Sequence, residues 1–522
     1  MKLKAMFLLA LVVLVALAAC APAPTPVPTA APPTAAPKAT EAPKATAVPP
    51  TTAPTTAAPA ATTAPTAAPT QAAATKAPGA ATNTPAPTAT PPPPAVTAAP
   101  NAIKIQFWHY FTDPTQVAAI QRFADKFNAA NPQYYIIPTL QGNINDLNKK
   151  INASITANAL PDMATGNPGD LFDYNTSGVM FALDSFIGDS KDGLTADQLA
   201  DMQPNALFFD KIEGKTIGMS VSRSENVMFY NIDMLKAAGF NDPPATWDDF
   251  DKICAAVTKG DQYCYPATAS SMDTSAFASW VFSRGGTYAS PDEKKATFDE
   301  AAGVDSLKWL KNQATTGWGK VPSVTSRGDQ ADFGNGKCAF AFGSTAGLPF
   351  FQDAVNGRKE GVFQWSIAPI PAGPKGKQVV DIFGPSLGIF KSTPEKQKGA
   401  WLFMKSLLQK DTQVEWTQRF LYFPASKAAR DAVVALDDAT AKATNPRFAL
   451  VLPQFKKAVS FLPLGVREPL APAWQGVRAT IANMLTAVYT GKSSPDFTAT
   501  DPEAAAKEGV DRVNKQLSTY GK

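Results

Sequence analysis

The stretch IKIQFW (103–108) alternates apolar and polar positions, which is the period of a half-buried strand. Asp113 and Pro114 follow as N-cap and first helical residue, and Val117, Ile120, Phe123 and Phe127 mark one face of a helix. Asn131 and Pro132 stop that helix, and YYII (134–137) predicts the next strand. Leu147, Ile151 and Ile155 space a second helix that ends at Leu160 and Pro161. A third short strand is expected at DMAT (162–165), running into GNPG (166–169). Strand–helix alternation of this kind predicts an α/β fold around a parallel sheet. Ligands of such sheets sit beyond the carboxyl ends of the strands, where His109 and Asn167 fall.

Further on, Glu213, Gly214 and Lys215 form a turn leading into IGMSV (217–221), and NVMFY (226–230) is a strongly apolar strand. Asp233 opens a short helix that Gly239 stops. Thr246 caps the next one, in which Trp247, Phe250 and Ile253 or Cys254 make the buried stripe. The rest is mainly helical, with strands expected near 338–342 and 386–390.

The chain of 522 residues opens differently. Lys2 and Lys4 precede an apolar run over positions 5–16, shorter than the roughly 20 residues a spanning helix needs. The run ends in Leu17, Ala18, Ala19 and Cys20, which looks like a bacterial lipoprotein signal: residues 1–19 are removed, and the Cys20 thiol carries lipid. More than one acyl chain gives a stable membrane anchor. Positions 21–100 collapse to Ala, Pro and Thr and hold about half of the 47 prolines. With so little to bury, residues 20–102 are expected to form a lipid-anchored, unfolded spacer of polyproline character. The remainder is too long for one core and predicts two domains.

A formal net charge of +4 with mixed signs gives no electrostatic argument for nucleic acid. Cys254 and Cys264 are close enough in sequence for a disulfide in an exported protein, and Cys338 reads as a buried strand residue. His109 is the only histidine, which excludes HExxH and any two-histidine metal site. GNGKC (334–338) lacks the upstream glycine and the hydroxyl residue of a P-loop, and GSTAG (343–347) places its serine second, unlike the GxSxG elbow. The acidic pairs Asp248-Asp249 and Asp292-Glu293 fall in helix-start or loop contexts. No cofactor or metal is implied. Many aromatic rings with few reactive groups suit a site that binds without reacting.

Seven phrases occur in one order: FWHYF (107–111), LPDMATGNPGD (160–170), EGKTIGMSVSRSENVMFYNIDMLKAAGF (213–240), PPATWDDF (243–250), FGNGKCAFAFGST (333–345), IAPIPAGP (367–374) and GAWLFMKSLLQKDTQVEW (399–416). With them the chain resembles the family 1 extracellular solute-binding proteins of ABC importers. The resemblance implies a two-lobed periplasmic-binding-protein-like fold of class II, each lobe a mainly parallel sheet flanked by helices, closing about a hinge. Lobe 1 is expected at 103–214 and 343–390, and lobe 2 at 215–342 and 391–522. It further implies a monomer tethered to the outer face of the cell membrane, which carries a small solute to permease subunits and performs no chemistry.

IIPTLQGN, GNGKCAF, FGPSLGIF, LYFPASKAARD and LPLG followed by VYTGK resemble the glycerol-3-phosphate-binding branch. That likeness implies a cleft holding Asn167, Ser222, Ser344, Gly384 and Tyr422, with Trp280 in place of its stacking tryptophan. Trp108 and His109 would wall the cleft, and Thr345 would join Ser344. The chain departs from the branch at Ile144, where an aromatic is usual, at Asn167, where the branch has an acid, and at Pro463, where it has an arginine. Arg223 and Arg467 are the nearest substitutes. The expected solute is therefore a neutral sugar or oligosaccharide, with glycerol-3-phosphate or a glycerophosphodiester as the alternative and an exported polysaccharide-active enzyme as a distant one. Trp280→Ala is expected to weaken binding and spare the fold.

Overall fold

The strand expected at the head of the folded region is β1 (Ile103–His109), and it pairs in parallel with β2 (Tyr134–Leu140) and β3 (Met163–Gly166). The crossovers are α1 (Pro114–Ala130) and α2 (Ile144–Ala157). Asp113 caps α1 by accepting the Thr115 N–H, with Pro114 at the first helical position. Asn143 and Asp146 cap α2 reciprocally. The computed structural model describes residues 97–519 except 204–207, 269–272, 323–326, 470 and 472, so the signal, Cys20 and the spacer up to position 96 lie outside the described residues.

After α3 (Pro168–Thr176) the chain forms a hairpin, β4 (Phe209–Ile212) and β5 (Lys215–Met219), on the far side of the same sheet. Its turn residues Glu213 and Gly214 both have positive φ, the geometry that matches the twist of a tight hairpin. The strand order is β2-β1-β3-β12-β5-β4, with β12 (Ser386–Ile389) inserted antiparallel to β3.

The second sheet is built around β6 (Ser222–Asn231), in which all ten residues are buried. Chain order continues through α4 (Trp247–Val257), β7 (Tyr265–Pro266), α5 (Thr274–Ser283), α6 (Ala301–Thr315), β8 (Gly319–Lys320) and α7 (Gly328–Gly334). Then come β9 (Phe340–Ser344), α8 (Leu348–Asn356), β10 (Trp365–Ala368) and β11 (Val380–Phe383). β9, β10 and β11 all pair antiparallel with β6, and only β14 (Gly465–Val466) runs parallel, to β11. The mainly parallel sheet expected in each lobe is found only in part: β1, β2 and β3 are parallel in the first, whereas the second sheet is mainly antiparallel among the described residues. Helix–strand alternation specifies layers, but strand direction depends on the end at which the chain re-enters the sheet. Met228, Phe340 and Phe342 bury one face of this sheet under α4, α5, α6 and the C-terminal helices. Val227, Phe229 and Ile382 bury the other against α8 and the segment around Phe448 and Phe455. A disulfide joins Cys254 in α4 to Cys264 before β7, and Cys338 is a buried free thiol.

The lobe boundaries differ from those expected. Strands β10 and β11, within 343–390, belong to the second sheet together with β9, which straddles position 343, whereas β12 belongs to the first. α9 (Pro394–Ser406) and α10 (Lys410–Phe420) then cover the first sheet: Phe403 meets Phe107 and Phe127, and Trp416 stacks on Phe123 at 5.7 Å. The first lobe is therefore 103–219 with 386–420, and the second takes 222–383 and the chain from β13 (Phe423–Pro424) onward. Their order is fixed by which sheet each short apolar strand joins.

The chain passes between lobes at three adjacent places, after β5, after β11 and after α10. Ser220 Oγ donates to the Pro385 carbonyl at 2.6 Å, Gln413 Nε2 to the Val221 carbonyl at 2.9 Å, and Trp416 Nε1 to Ser222 Oγ at 3.0 Å. Gly384, at φ +143°, suits a backbone that passes the Arg223 Cα so closely that an added Cβ would stand 3.4 Å from it.

Candidate functional site

Among the described residues a chamber of about 380 Å³ opens between the lobes, above the crossovers, and another of about 380 Å³ is lined by the second lobe together with Tyr422 at a crossover. The first lobe contributes helix starts to one of them: Ile144 and Asn145 open α2, and Pro168 and Gly169 open α3 behind Asn167. Backbone N–H groups at helix starts lack intrahelical partners and carry partial positive charge. The start of α3 is braced from behind. Asp170 accepts the Asn167 N–H at 2.8 Å and the Asn148 Nδ2 at 2.9 Å, and Asn148 accepts the Tyr174 hydroxyl at 2.6 Å.

The second lobe faces these helix starts with Phe383, Arg467, Glu468, Arg478 and Trp474, the first residue of α11 (Trp474–Thr490). Trp474 Nε1 donates to Glu468 at 2.7 Å, which fixes the plane of the ring. The other chamber holds Asn226, Ser344, Phe350 and Tyr422, with Arg327 and Asp329 at the start of α7. Phe383 lines both chambers. A polar partition runs beside it: Arg478 donates twice to Glu468 at 2.9 Å and once to Asp273 at 3.3 Å, and Ser275 Oγ donates to Glu468.

Charges in the cleft are matched. Among the described lining residues, the arginines 223, 327, 467 and 478 stand against Asp210, Asp273, Asp329 and Glu468. Arg223 pairs with Asp210 at 2.9 Å, Arg467 with Glu293 at 2.8 Å, and Arg478 with Glu468 at 2.9 Å. Burial pushes the Asp273 carboxyl up to about 6 despite Arg478, and it also raises Asp329 and the fully buried Asp381.

The residues singled out from sequence scatter over this geometry. Asn167, Arg223, Gly384 and Arg467 line the first chamber, and Ser344 and Tyr422 line the second. Arg223 is nonetheless largely committed to the fold, because its N–H groups reach Asp210, the Gly384 carbonyl and Ser386 Oγ. Ser222 is buried beneath Trp416, and Thr345 is buried with its hydroxyl accepting the Glu225 N–H at 3.1 Å. His109 is 2 % exposed between the rings of Phe107 and Phe111, and burial pulls its imidazole down to about 4. Trp108 is half-buried and packs against the cluster around Leu147 and Ile151. None of Ser222, Thr345, His109 and Trp108 is among the residues lining either chamber.

Trp280 requires a correction. It is fully buried in the second lobe's core, 5.0 Å from Trp309 and against Phe277, because α5 buries almost every side. Its place as an aromatic wall is taken by Trp474 and Phe383, which the sequence reading passed over. The one available signal was an aromatic at the start of a long C-terminal helix, in the phrase APAWQG (471–476). Among the described residues no cluster of His, Cys, Asp or Glu could hold a metal ion, and no helix is long and apolar enough to cross a membrane.

Comparison with known proteins agrees with this architecture. The sn-glycerol-3-phosphate-binding periplasmic protein UgpB of Escherichia coli (strain K12) is 25% identical over 447 residues, covering 80% of this chain and 93% of that protein. The cyclic alpha-maltosyl-1,6-maltose binding protein from Arthrobacter globiformis superposes with a TM-score of 0.64 at 19% identity, over 79% of this chain and 99% of that one. UgpB from Mycobacterium tuberculosis, solved with glycerophosphocholine, gives 0.63 at 21% identity, over 80% and 99%. The family model for bacterial extracellular solute-binding proteins matches residues 122–446, and the chain belongs to that family.

Proposed function

We propose that this chain is the extracytoplasmic receptor of an ABC importer, binding a neutral carbohydrate across the interlobe cleft and delivering it to membrane permease subunits. The observation that carries the choice of solute is the charge balance of the cleft. Arg223, Arg467 and Arg478 are each already paired with a carboxylate, so a phosphate in the first chamber would have to compete with or share one of these pairs. Sugar hydroxyls need no net charge, and Trp474 and Phe383 offer flat apolar surface for C–H faces. Two chambers sharing Phe383 suit a solute longer than one ring. The relative that binds a cyclic maltosyl-maltose supports the same class.

A second reading, a glycerol phosphate or glycerophosphodiester, rests on the two helix starts that open on the first chamber, since such termini favour anions. The receptor itself carries out no reaction in either case. Acylation of Cys20 would tether this monomeric receptor to the outer face of the cell membrane, with the Ala/Pro/Thr stretch as spacer.

Thermal unfolding against mono- and oligosaccharides, sn-glycerol-3-phosphate and glycerophosphocholine tests both readings. A saccharide at a hundredfold excess over Kd should stabilise the protein by about 2.7 kcal/mol. A shift with the phosphate compounds alone would establish the second reading, and no shift with any compound would overturn small-solute binding. Cys20→Ser should move the protein from the membrane fraction to the medium, and retention in the membrane would refute the lipid anchor.

A further inference from the structure

Several unusual features coincide where α3 of the first lobe meets α11 of the second. Gly169 and Asp173 are four residues apart on α3 and so share one face. Trp474 rests on Gly169 so closely that a Cβ at position 169 would stand 2.9 Å from the Trp474 Cβ. One turn further, Asp173 Oδ1 accepts the backbone N–H of Ala473 at 2.6 Å. Ala473 is held at φ +66° and is 5 % exposed. A residue with a Cβ keeps that left-handed conformation only where its surroundings enforce it, and such positions concentrate at sites that move or bind.

We propose that this contact is an interlobe clasp, in which Asp173 is a positioning residue that seats the start of α11 on Gly169 and so holds the cleft shut with Trp474 as its wall. The topology supports the reading. Asn167, Pro168 and Gly169 at the start of α3 line the same chamber as Trp474, so that wall is complete only when the two helices meet. The Asp173 side chain also satisfies a backbone donor at the start of α11 that lacks an intrahelical partner. The clasp needs no solute and stands independently of the carbohydrate reading.

The contact has a pH signature. Burial pushes the Asp173 carboxyl up to about 6 against the lowering effect of the hydrogen bond from Ala473, and Asp170 on the same helix adds to the rise. Once the lobes part, the group regains water and returns toward its ordinary 3.8. The shut form therefore binds the proton more tightly, and lowering the pH through 6 favours closure. Other groups facing this chamber also carry charge, namely Asp210 and Arg223 beside the crossovers and Arg467, Glu468 and Arg478 from the second lobe. An asparagine at 173, which keeps an acceptor without a charge, isolates the contribution of Asp173.

The test measures the interlobe distance by energy transfer in the solute-free full chain, at pH 7.5 and 5. Dyes are attached through azide-bearing residues replacing the exposed Asn152 on α2 and Lys507 on α12 (Pro502–Thr519). Asp173→Ala should move the population toward the open form several-fold at pH 5, where the carboxyl is protonated and its hydrogen bond from Ala473 is not opposed by buried charge. Asp173→Asn should restore the short distance and abolish most of the acid-induced shortening. Gly169→Ala should lengthen the distance with Asp173 intact, whereas a merely structural glycine would change the melting temperature alone. Unchanged distances in Asp173→Ala and Gly169→Ala, or an Asn variant as open as the Ala variant, would overturn the clasp.

Discussion

Arg223 and Asp210 meet at 2.9 Å with side chains only 4 % and 2 % exposed, tying the first strand residues of the second sheet to an edge hairpin of the first. The guanidinium also holds the Gly384 carbonyl at 2.8 Å, so one side chain fastens two of the three crossovers. Desolvating both charges is costly, and removing one partner strands the other.

Arg223→Ala should therefore lower unfolding stability by about 3–5 kcal/mol, as expected when a buried carboxylate loses its partner. Urea titration measures it. Arg223→Met with Asp210→Leu should recover much of the loss, and a single variant costing under about 1 kcal/mol would show that the crossovers are held by other contacts.

Trp280→Ala should destabilise the second lobe by about 3–5 kcal/mol through the cavity it leaves beside Trp309 and Phe277. Trp280→Phe should cost far less, since the indole N–H has no hydrogen-bond partner among the described residues. Denaturation curves separate the two, and a Trp280→Ala protein of native stability with weakened solute binding would return the residue to the cleft.

His109 makes stability depend on pH in a predictable sense. Its folded value, about 4, lies below the ordinary 6.5. The unfolded chain takes up the proton first, so stability is full above pH 6.5 and is lost as the pH falls toward 4. The contribution is on the order of 3 kcal/mol. Subtracting the stability profile of His109→Gln from that of the parent should leave this slope between pH 6.5 and 4, and parallel profiles would contradict it.

Phe383→Ala opens the wall between the chambers while leaving both sheets intact. Affinity for the best saccharide of the thermal screen should fall by about tenfold or more, as apolar contact area is removed. Calorimetric titration reads the change. An unaltered Kd would mean that the solute occupies one chamber without reaching Phe383.

The first half of the lobe-1 sheet was legible because its signals are local. Asp113-Pro114 marks the start of α1, Asn131-Pro132 its end, and the change of hydrophobic period marks the rest. Lobe membership was not legible after Gly343, since β9 and β12 are both short apolar runs and nothing in either states which sheet it joins. Of the residues expected in a cleft, Asn167, Ser344, Gly384 and Tyr422 line the chambers because they sit at element ends, where position follows from order along the chain. Trp280 misled because TSAFASWVFS is rich in small residues and shows no stripe, although nearly all of it is buried. Trp474 escaped notice because its role depends on Gly169, three hundred positions earlier in the chain, and no local pattern carries that pairing.

The late return of α9 and α10 to the first sheet has a consequence for synthesis. Phe107, Phe123 and Phe127 find their aromatic partners Phe403 and Trp416 only after the whole stretch that forms β6 to β11 has been made. A chain emerging from its N-terminus therefore carries an uncovered apolar face for most of its elongation, a state prone to aggregation and slow to resolve because the required contacts are distant in sequence. Truncation anywhere before residue 420 should leave that face bare, and neither lobe can be obtained by cutting the chain once.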